Sequence, residues 1–383
     1  MSNSHLFTYH VTEFSLIGDE IMNYMNSFTL KSTENSNTYF VGMNTGSGFV
    51  GKYDDIINEK KLTRLYIIKG AAGTGKSTLM HRCAEKAESW GCNVEYYLCS
   101  SDPDSLDCVV IDGKIAIVDG TSPHNLDMRY PGAVSEIVNV AGFLDDSIIA
   151  SSKDEIISLS EKKKTAFADA YSSLSHVSSL ALDRYNLSIR AVDLDKLERN
   201  VCRLVSGFKK NKGTGTRREA VLKAVGMKGC CSLDTFARRA ESVINVSDVY
   251  ASAYHYMDVL AAKLEREGFD IIVSPDPICP SLICDIFIPE TSILITTDIY
   301  PDCSKRINMT RFSLAPSLSE IRGIMRLSHK CSEALLSEAC EKLKLGGKAH
   351  FGLEKLYSSA MDFDALSKYT EKLLRSIEKR LKD

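Results

Sequence analysis

One stretch of the sequence combines the residue types that bind a nucleoside triphosphate. Residues 70–77 read Gly-Ala-Ala-Gly-Thr-Gly-Lys-Ser and fit the Walker A pattern at every fixed position. The glycines allow a tight loop whose backbone N–H groups point at phosphate oxygens. We expect the Lys76 ammonium to reach the β- and γ-phosphates and the Ser77 hydroxyl to bind Mg²⁺. The predicted phosphate-binding residues are Gly70, Ala71, Ala72, Gly73, Thr74, Gly75, Lys76, Ser77 and Thr78.

The neighbouring residues provide the elements that such a loop needs. Leu65 to Ile68 is a short apolar run rich in β-branched side chains, which predicts a buried strand. Lys76 to Trp90 contains good helix formers with small and apolar residues on one face. Phosphate would lie at the N-terminus of this helix, where unpaired N–H groups and the helix dipole favour an anion.

A second apolar run has the form of a Walker B strand. Residues 114–118 close on Asp119, whose carboxylate is expected to hold Mg²⁺ directly or through water and to be catalytic. The alternative is an aspartate that only caps the following turn. ATP and Mg²⁺ are therefore the expected cofactors.

The residue that would activate water is less clearly marked. Asp119 is followed by Gly120 and not by the glutamate that many ATPases carry there. The loop 99–107 offers Asp102, predicted to be catalytic, and secondarily Asp104 as bases, unless these aspartates only shape a turn. His124 as a phosphate sensor and Arg129 as an internal arginine finger are further candidates, although a turn histidine and a surface arginine are the simpler interpretations.

Composition limits the cellular setting and the partners. The chain has 383 residues, 44% hydrophobic and 25% charged, with a formal net charge of -3, so no global field attracts nucleic acid. We find no transmembrane-length run and no signal peptide, and expect a cytoplasmic protein without a membrane partner. Twelve cysteines without any Cys-x-x-Cys pair are expected to be free thiols rather than metal ligands or disulfides.

The second half of the sequence repeats the landmarks of the first at an offset near 177 residues. Matching segments include Val41–Met43 with Val225–Met227, 65–68 with 243–246, 93–98 with 270–273, 105–108 with 281–284, 114–118 with 292–295, and 193–197 with 362–366. The copy has lost its glycines: residues 246–255 contain none, the Lys76 position falls on Ala253 or Tyr254, and the Asp119 position falls on Thr297. The second half is thus predicted to be a decayed repeat.

These segments define a predicted organisation. Residues 1–206 form a P-loop NTPase domain with a helical extension from about 145, 207–217 form a linker, and 218–383 form the degenerate repeat with C-terminal helices from about 317. The expected fold class is α/β, with two P-loop NTPase-like three-layer α/β/α lobes. The run Lys162-Lys163-Lys164 is interpreted as a solvated helix face.

The chain resembles a bacterial family of predicted ATPases built from two tandem P-loop domains. The resemblance covers most of the chain and rests on the segments 69–80, 99–107, 115–124 and 131–134. It implies ATP binding and hydrolysis but no particular substrate. In that family the second half often carries its own intact P-loop, which this chain lacks.

Three functional classes follow from these residues. The first is an ATPase with slow or partner-stimulated hydrolysis in the N-terminal lobe, consistent with the missing glutamate. The second is a small-molecule kinase, and the third is a non-enzymatic ATP-binding sensor. ATP is expected rather than GTP, because Asn211-Lys212 lacks the rest of a guanine-binding motif. An unidentified protein or a small molecule is a candidate partner, and the ATPase would release phosphate by itself or with such a partner.

Overall fold

Buried apolar runs in the first half form the strands of one sheet. The computed structural model describes residues 29–31, 37–123, 126–208, 214–248, 250–300 and 302–382. The first-half elements are β1 (Thr29–Lys31), β2 (Thr38–Phe40), β3 (Gly42–Thr45), β4 (Gly48–Gly51), α1 (Tyr53–Ile56), β5 (Arg64–Lys69), α2 (Lys76–Ser89), β6 (Val94–Leu98), β7 (Leu106–Ile111), β8 (Ile115–Asp119), β9 (Ser135–Asn139), α3 (Asp146–Ser151), α4 (Lys153–Ser188) and α5 (Leu194–Ser206). The completely buried β8 shows why its sequence is uniformly apolar up to its last residue.

The second half builds the elements of the first in the same order, without counterparts of β1 and α3. Its elements are β10 (Arg217–Glu219), β11 (Lys223–Gly226), β12 (Gly229–Leu233), α6 (Thr235–Arg239), β13 (Ser242–Ser247), α7 (Ser252–Arg266), β14 (Ile271–Pro275), β15 (Ile283–Ile288), β16 (Ile293–Thr296), β17 (Lys305–Asn308), α8 (Ala315–Ser359) and α9 (Phe363–Lys382). None of the helices in the described ranges combines the length and apolarity needed to cross a membrane.

The fold is α/β with two mixed six-stranded sheets of identical topology. The first sheet has the order β2-β6-β7-β8-β5-β9, and the second has the order β10-β14-β15-β16-β13-β17. In each sheet one strand, β7 or β15, runs antiparallel to both of its neighbours, while the remaining pairs are parallel. The internal repeat read from the sequence is therefore present in the fold.

One of the matched segments is out of register. Thr45 pairs with Gly48 across the turn of the first hairpin, and Gly226 pairs with Gly229 across the turn of the second. This alignment sets the two Val-Gly-Met triplets three positions apart, so their similarity does not reflect equivalent places in the fold.

The last helix of each half packs on the core of the other half. Leu197, Val201 and Leu204 of α5 are buried in the second core, together with residues of β13 and α7. Leu373 and Ile377 of α9 are buried in the first core. Both helices begin with an aspartate, Asp193 or Asp362, whose carboxylate accepts a backbone N–H three residues later. Helix α5, at the end of the predicted range 1–206, therefore packs on the second sheet, and α9, at the end of the predicted range 218–383, packs on the first.

We call each six-stranded sheet with the helices that pack on it a unit, the first built on β2 and β5–β9 and the second on β10 and β13–β17. The long helices α4 and α8 run antiparallel and in contact with each other between the two units. Gly352 faces Leu159, Gly346 faces Phe167, and Arg184 Nη1 donates to Ser332 Oγ at 2.7 Å. The glycines allow close approach of the two helices. As a result, residues of α8 from the second half reach the first unit.

Because α9 packs on the first core, we expect a cavity in α9 to destabilise the first unit. Ile377 has no solvent exposure, so we expect Ile377→Ala to lower the free energy of unfolding by about 2–5 kcal/mol. The single tryptophan, Trp90, packs against the first core, and its fluorescence during chemical denaturation measures this unit. The exposed Lys379→Ala is the control on the same helix. An unchanged Trp90 transition in Ile377→Ala would show that α9 does not support the first unit.

Candidate functional site

The loop between β5 and α2, residues 70–75, leads into the N-terminus of α2. Gly73 and Gly75 have φ of +74° and +82°, a conformation that favours glycine, and Gly75 caps the helix that begins at Lys76. Within the described part of the chain, the N–H groups of residues 71–75 donate to no other group of the protein. These donors lie at the N-terminus of a 14-residue helix, which is an arrangement that suits an anion.

Lys76 folds back over the loop that precedes it. Its Nζ donates to the carbonyl oxygens of Gly70 at 2.9 Å and Ala71 at 2.7 Å, and lies 3.5 Å from Asp119 Oδ2. Thr74 Oγ1 donates to the Ala71 carbonyl at 2.8 Å and stabilises the same turn. The ammonium is thus held at the loop by weak neutral acceptors and one carboxylate, and a phosphate could replace the carbonyls as its partner.

The sheet brings Asp119 to this loop. Asp119 ends β8, directly beside Ile68 of β5, because the two strands are parallel neighbours. Its Oδ1 accepts the Thr121 N–H at 2.8 Å, and the Thr121 hydroxyl donates to the Gly70 carbonyl at 2.8 Å. The turn interpretation of Asp119 therefore holds alongside its position next to Lys76.

Ser77, in the first turn of α2, contacts the start of β7. Its Oγ accepts the Leu106 N–H at 3.0 Å. A hydroxyl and one carboxylate, from Ser77 and Asp119, are oxygen ligands of the kind that Mg²⁺ takes when phosphates and water complete its shell. No cluster of three or more His, Cys, Asp or Glu side chains arranged for a metal occurs among the described residues.

The predicted base, Asp102, is engaged by the second half. Its Oδ1 lies 2.8 Å from Lys228 Nζ, and the same ammonium also pairs with Asp104. The backbone is docked as well, since the Met227 N–H donates to the Ser101 carbonyl at 2.7 Å. The β11–β12 hairpin thus stabilises the loop between β6 and β7 that flanks Ser77.

Neither Arg129 nor His124 is seen in contact with the 70–77 loop among the described residues. Arg129 is exposed and pairs with Asp54 at 2.9 Å and Glu59 at 3.6 Å. His124 lies outside the described residues.

Three residues that sequence reasoning missed, Lys163, His350 and Glu354, contact one another on the long helices beside the loop. Lys163 Nζ of α4 lies 2.9 Å from His350 Nδ1 of α8, and His350 Nε2 lies 3.4 Å from Glu354 Oε1. The backbone of Glu354 touches the loop, because a Cβ added to Gly73 would lie 2.8 Å from Glu354 Cα. Burial lowers the pKa of the Lys163 ammonium, and the charge of Lys76 lowers it further.

A signal for Lys163 was present in the sequence. The buried positions of α4, Ala170, Leu174, Val177 and Ala181, are spaced by three and four residues. Extending this spacing toward the N-terminus passes through Phe167 and reaches Lys163. Lys162 and Lys164 are exposed, as the solvated interpretation of this run predicts, whereas Lys163 is half-buried and bonded to His350.

In the second half a carboxylate takes the place that phosphate would occupy. The loop between β13 and α7 is two residues shorter, and the left-handed cap Ala251 corresponds to Gly75. Asp248 Oδ2 accepts the Ala251 N–H at 2.8 Å and Oδ1 accepts the Ala253 N–H at 2.9 Å. The helix N-terminus is thus already neutralised by an internal anion.

The structural alignment also corrects one position in the decayed repeat. Ser252, and not Ala253 or Tyr254, is the counterpart of Lys76, since both are the first residue of their helix. Thr297 corresponds to Asp119, as the sequence comparison predicted, because strand pairing aligns Thr296 with Val118. Neither replacement supplies the charge that phosphate or Mg²⁺ requires.

The cysteines are free thiols throughout the chain. Cys230, next to Cys231, lies with its Sγ 3.8 Å from Cys340 Sγ of α8, and the two remain unbonded.

Comparison with known proteins adds no further assignment. A scan against protein-family models found no match, and neither did searches of curated proteins and of solved structures. The residues themselves therefore carry the functional argument.

Proposed function

We propose that the first unit binds Mg²⁺-ATP at the loop of residues 70–77 and hydrolyses it slowly or under stimulation by a partner. The observation that carries this proposal is the convergence of free backbone donors, Lys76 and Asp119 at one helix N-terminus. A phosphate with several oxygens accepts from the backbone donors and from Lys76, and a Mg²⁺ ion between it and Asp119 balances the carboxylate. In the second half a single carboxylate, Asp248, accepts two backbone N–H groups.

Each group has a defined part in this proposal. The N–H groups of the loop and of the first turn of α2 hold phosphate oxygens. Lys76 leaves the carbonyls of Gly70 and Ala71 and binds the β- and γ-phosphates, a stronger, charge-assisted contact. Ser77 and Asp119 hold Mg²⁺, which when bound neutralises negative charge on the phosphate oxygens.

The surroundings of the loop support slow turnover. No carboxylate follows Asp119, and the carboxylate of Asp102 is paired with Lys228. Asp102 can activate water only after it leaves that ion pair, and a partner could supply another base. A partner that offers Lys228 another carboxylate would free Asp102 from the ion pair, and this is one route by which a partner stimulates hydrolysis.

A nucleotide sensor is the second candidate function, and the contact of α8 with Gly73 favours it. Glu354 belongs to the same long helix that packs along α4 between the two units. A ligand that reshapes the loop therefore acts directly on a 45-residue helix of the other half. In this version the output of ATP binding is a displacement of α8, with negligible turnover.

Calorimetric titration of the full chain with ATP and Mg²⁺ tests the proposal. We expect one nucleotide per chain, because Asp248 already fills the second cradle. Asp119→Asn should weaken the dependence of binding on Mg²⁺, whereas the exposed Asp127→Asn, with the same change of charge, should not. Absence of ATP binding by the folded wild type would overturn the proposal, and two sites per chain would contradict its single-site form.

A further inference from the structure

We propose that Lys163 of α4 binds the terminal phosphate of a nucleotide held by the 70–77 loop, and so makes the site distinguish triphosphate from diphosphate. This inference rests on the proposed function of the loop. It adds a residue from the long helices to a site that the sequence placed entirely between strands β5 and β8.

A continuous set of contacts connects Lys163 to the loop. The ammonium donates to His350 Nδ1 at 2.9 Å, and His350 is one helical turn from Glu354. The backbone of Glu354 lies against Gly73, in the middle of the phosphate-binding loop. Lys163 is therefore held at the side of the loop on which α8 lies.

Lys163 forms no ion pair with a carboxylate in the described part of the chain, although the charges of Glu354 and Asp107 act on it from farther away. Among the described residues, no carboxylate oxygen lies within 4.0 Å of its Nζ, and its hydrogen-bond partner is the imidazole Nδ1 of His350. The nearest carboxylate on α8, Glu354, approaches His350 Nε2 instead. A partly buried ammonium is normally paired, so this arrangement leaves Lys163 in need of an anion.

Lys76 sharpens this requirement. The charge of Lys76 lowers the pKa of the Lys163 ammonium, and the side chain of Lys76 is largely buried while that of Lys163 is half-buried. Like charges that converge at a cradle of free N–H groups are stabilised by an anion between them. Lys76 belongs to α2 and Lys163 to α4, and the terminal phosphate is the group that we assign to both ammonium groups.

Binding of two nucleotides to the full chain tests this assignment. The probes are ADP and an ATP analogue with a non-hydrolysable imido bridge between the β- and γ-phosphates, each with Mg²⁺. Lys163→Ala should weaken binding of the analogue by about 10- to 100-fold, the value of one lost charge-assisted hydrogen bond. Binding of ADP should change less than about twofold, and Lys163→Arg should restore most of the affinity for the analogue.

The lysine run provides matched controls. Lys162→Ala and Lys164→Ala remove the same charge from exposed positions of the same helix and should bind both nucleotides as the wild type does. If Lys163→Ala weakens both nucleotides equally, or neither, the inference is wrong while the proposed function stands. If the wild type binds neither nucleotide, both fail. Thermal unfolding of each variant shows whether a variant with lower nucleotide affinity is still folded.

Discussion

Lys76→Ala is expected to lower Mg²⁺-dependent phosphate release from ATP at least about 100-fold, the typical effect of removing one charge-stabilising group from a site. The lysine has no equivalent in the site, because Lys163 approaches from another helix and pairs with His350. Release is measured in the steady state with saturating ATP, with and without EDTA. A parallel titration shows how much of the effect is lost binding.

The design separates chemistry from folding. Lys86→Ala, exposed on the same helix, should release phosphate at the wild-type rate. Removal of Lys76 also takes a partner from Asp119, so thermal unfolding of both variants is compared with the wild type. Release from Lys76→Ala at the wild-type rate would count against the loop as the site of hydrolysis. Binding without release in the wild type would favour the sensor, or a kinase that still lacks its acceptor.

Gly73→Ala is expected to destabilise the protein and to weaken ATP binding together. The residue has φ of +74°, which costs a non-glycine residue about 1–2 kcal/mol, and the new Cβ would lie 2.8 Å from Glu354 Cα. Backbone cannot yield as a flexible side chain does, so α8 or the loop must shift. Chemical denaturation followed by Trp90 fluorescence measures the loss of stability, and ATP titration measures the change at the site.

Gly91→Ala is the matched control for this effect. Gly91 has a similar φ of +84°, but a Cβ there would meet nothing within 4 Å. It should therefore lose only the free energy that belongs to the backbone conformation and keep its affinity for ATP. If both variants lost the same stability, the contact between Gly73 and α8 would add nothing to the cost of the backbone conformation, and a coupling of the loop to α8 through this contact would be contradicted.

The sequence by itself determined the local parts of the candidate site. The order of apolar run, glycine-rich loop and helix specifies β5, residues 70–75 and α2, because propensity and the conformational freedom of glycine act within a few residues. The apolar run ending in Asp119 specifies a buried strand with a carboxylate at its end for the same reason. The internal repeat was also readable, since two copies of one topology retain the order of their elements.

Only the tertiary structure decided which surfaces meet. Periodicity shows that α5 and α9 have an apolar face, but not that each covers the core of the other half. Lys163 and His350 are 187 positions apart, and Lys228 and Asp104 are 124 apart, so no local pattern connects them. The sequence likewise shows that the second half lacks the glycine-rich loop, but only the structure shows that the Asp248 carboxylate accepts the N–H groups at the start of α7. Contacts between distant segments depend on how whole elements pack, and this packing joins α4 and α8 to the loop.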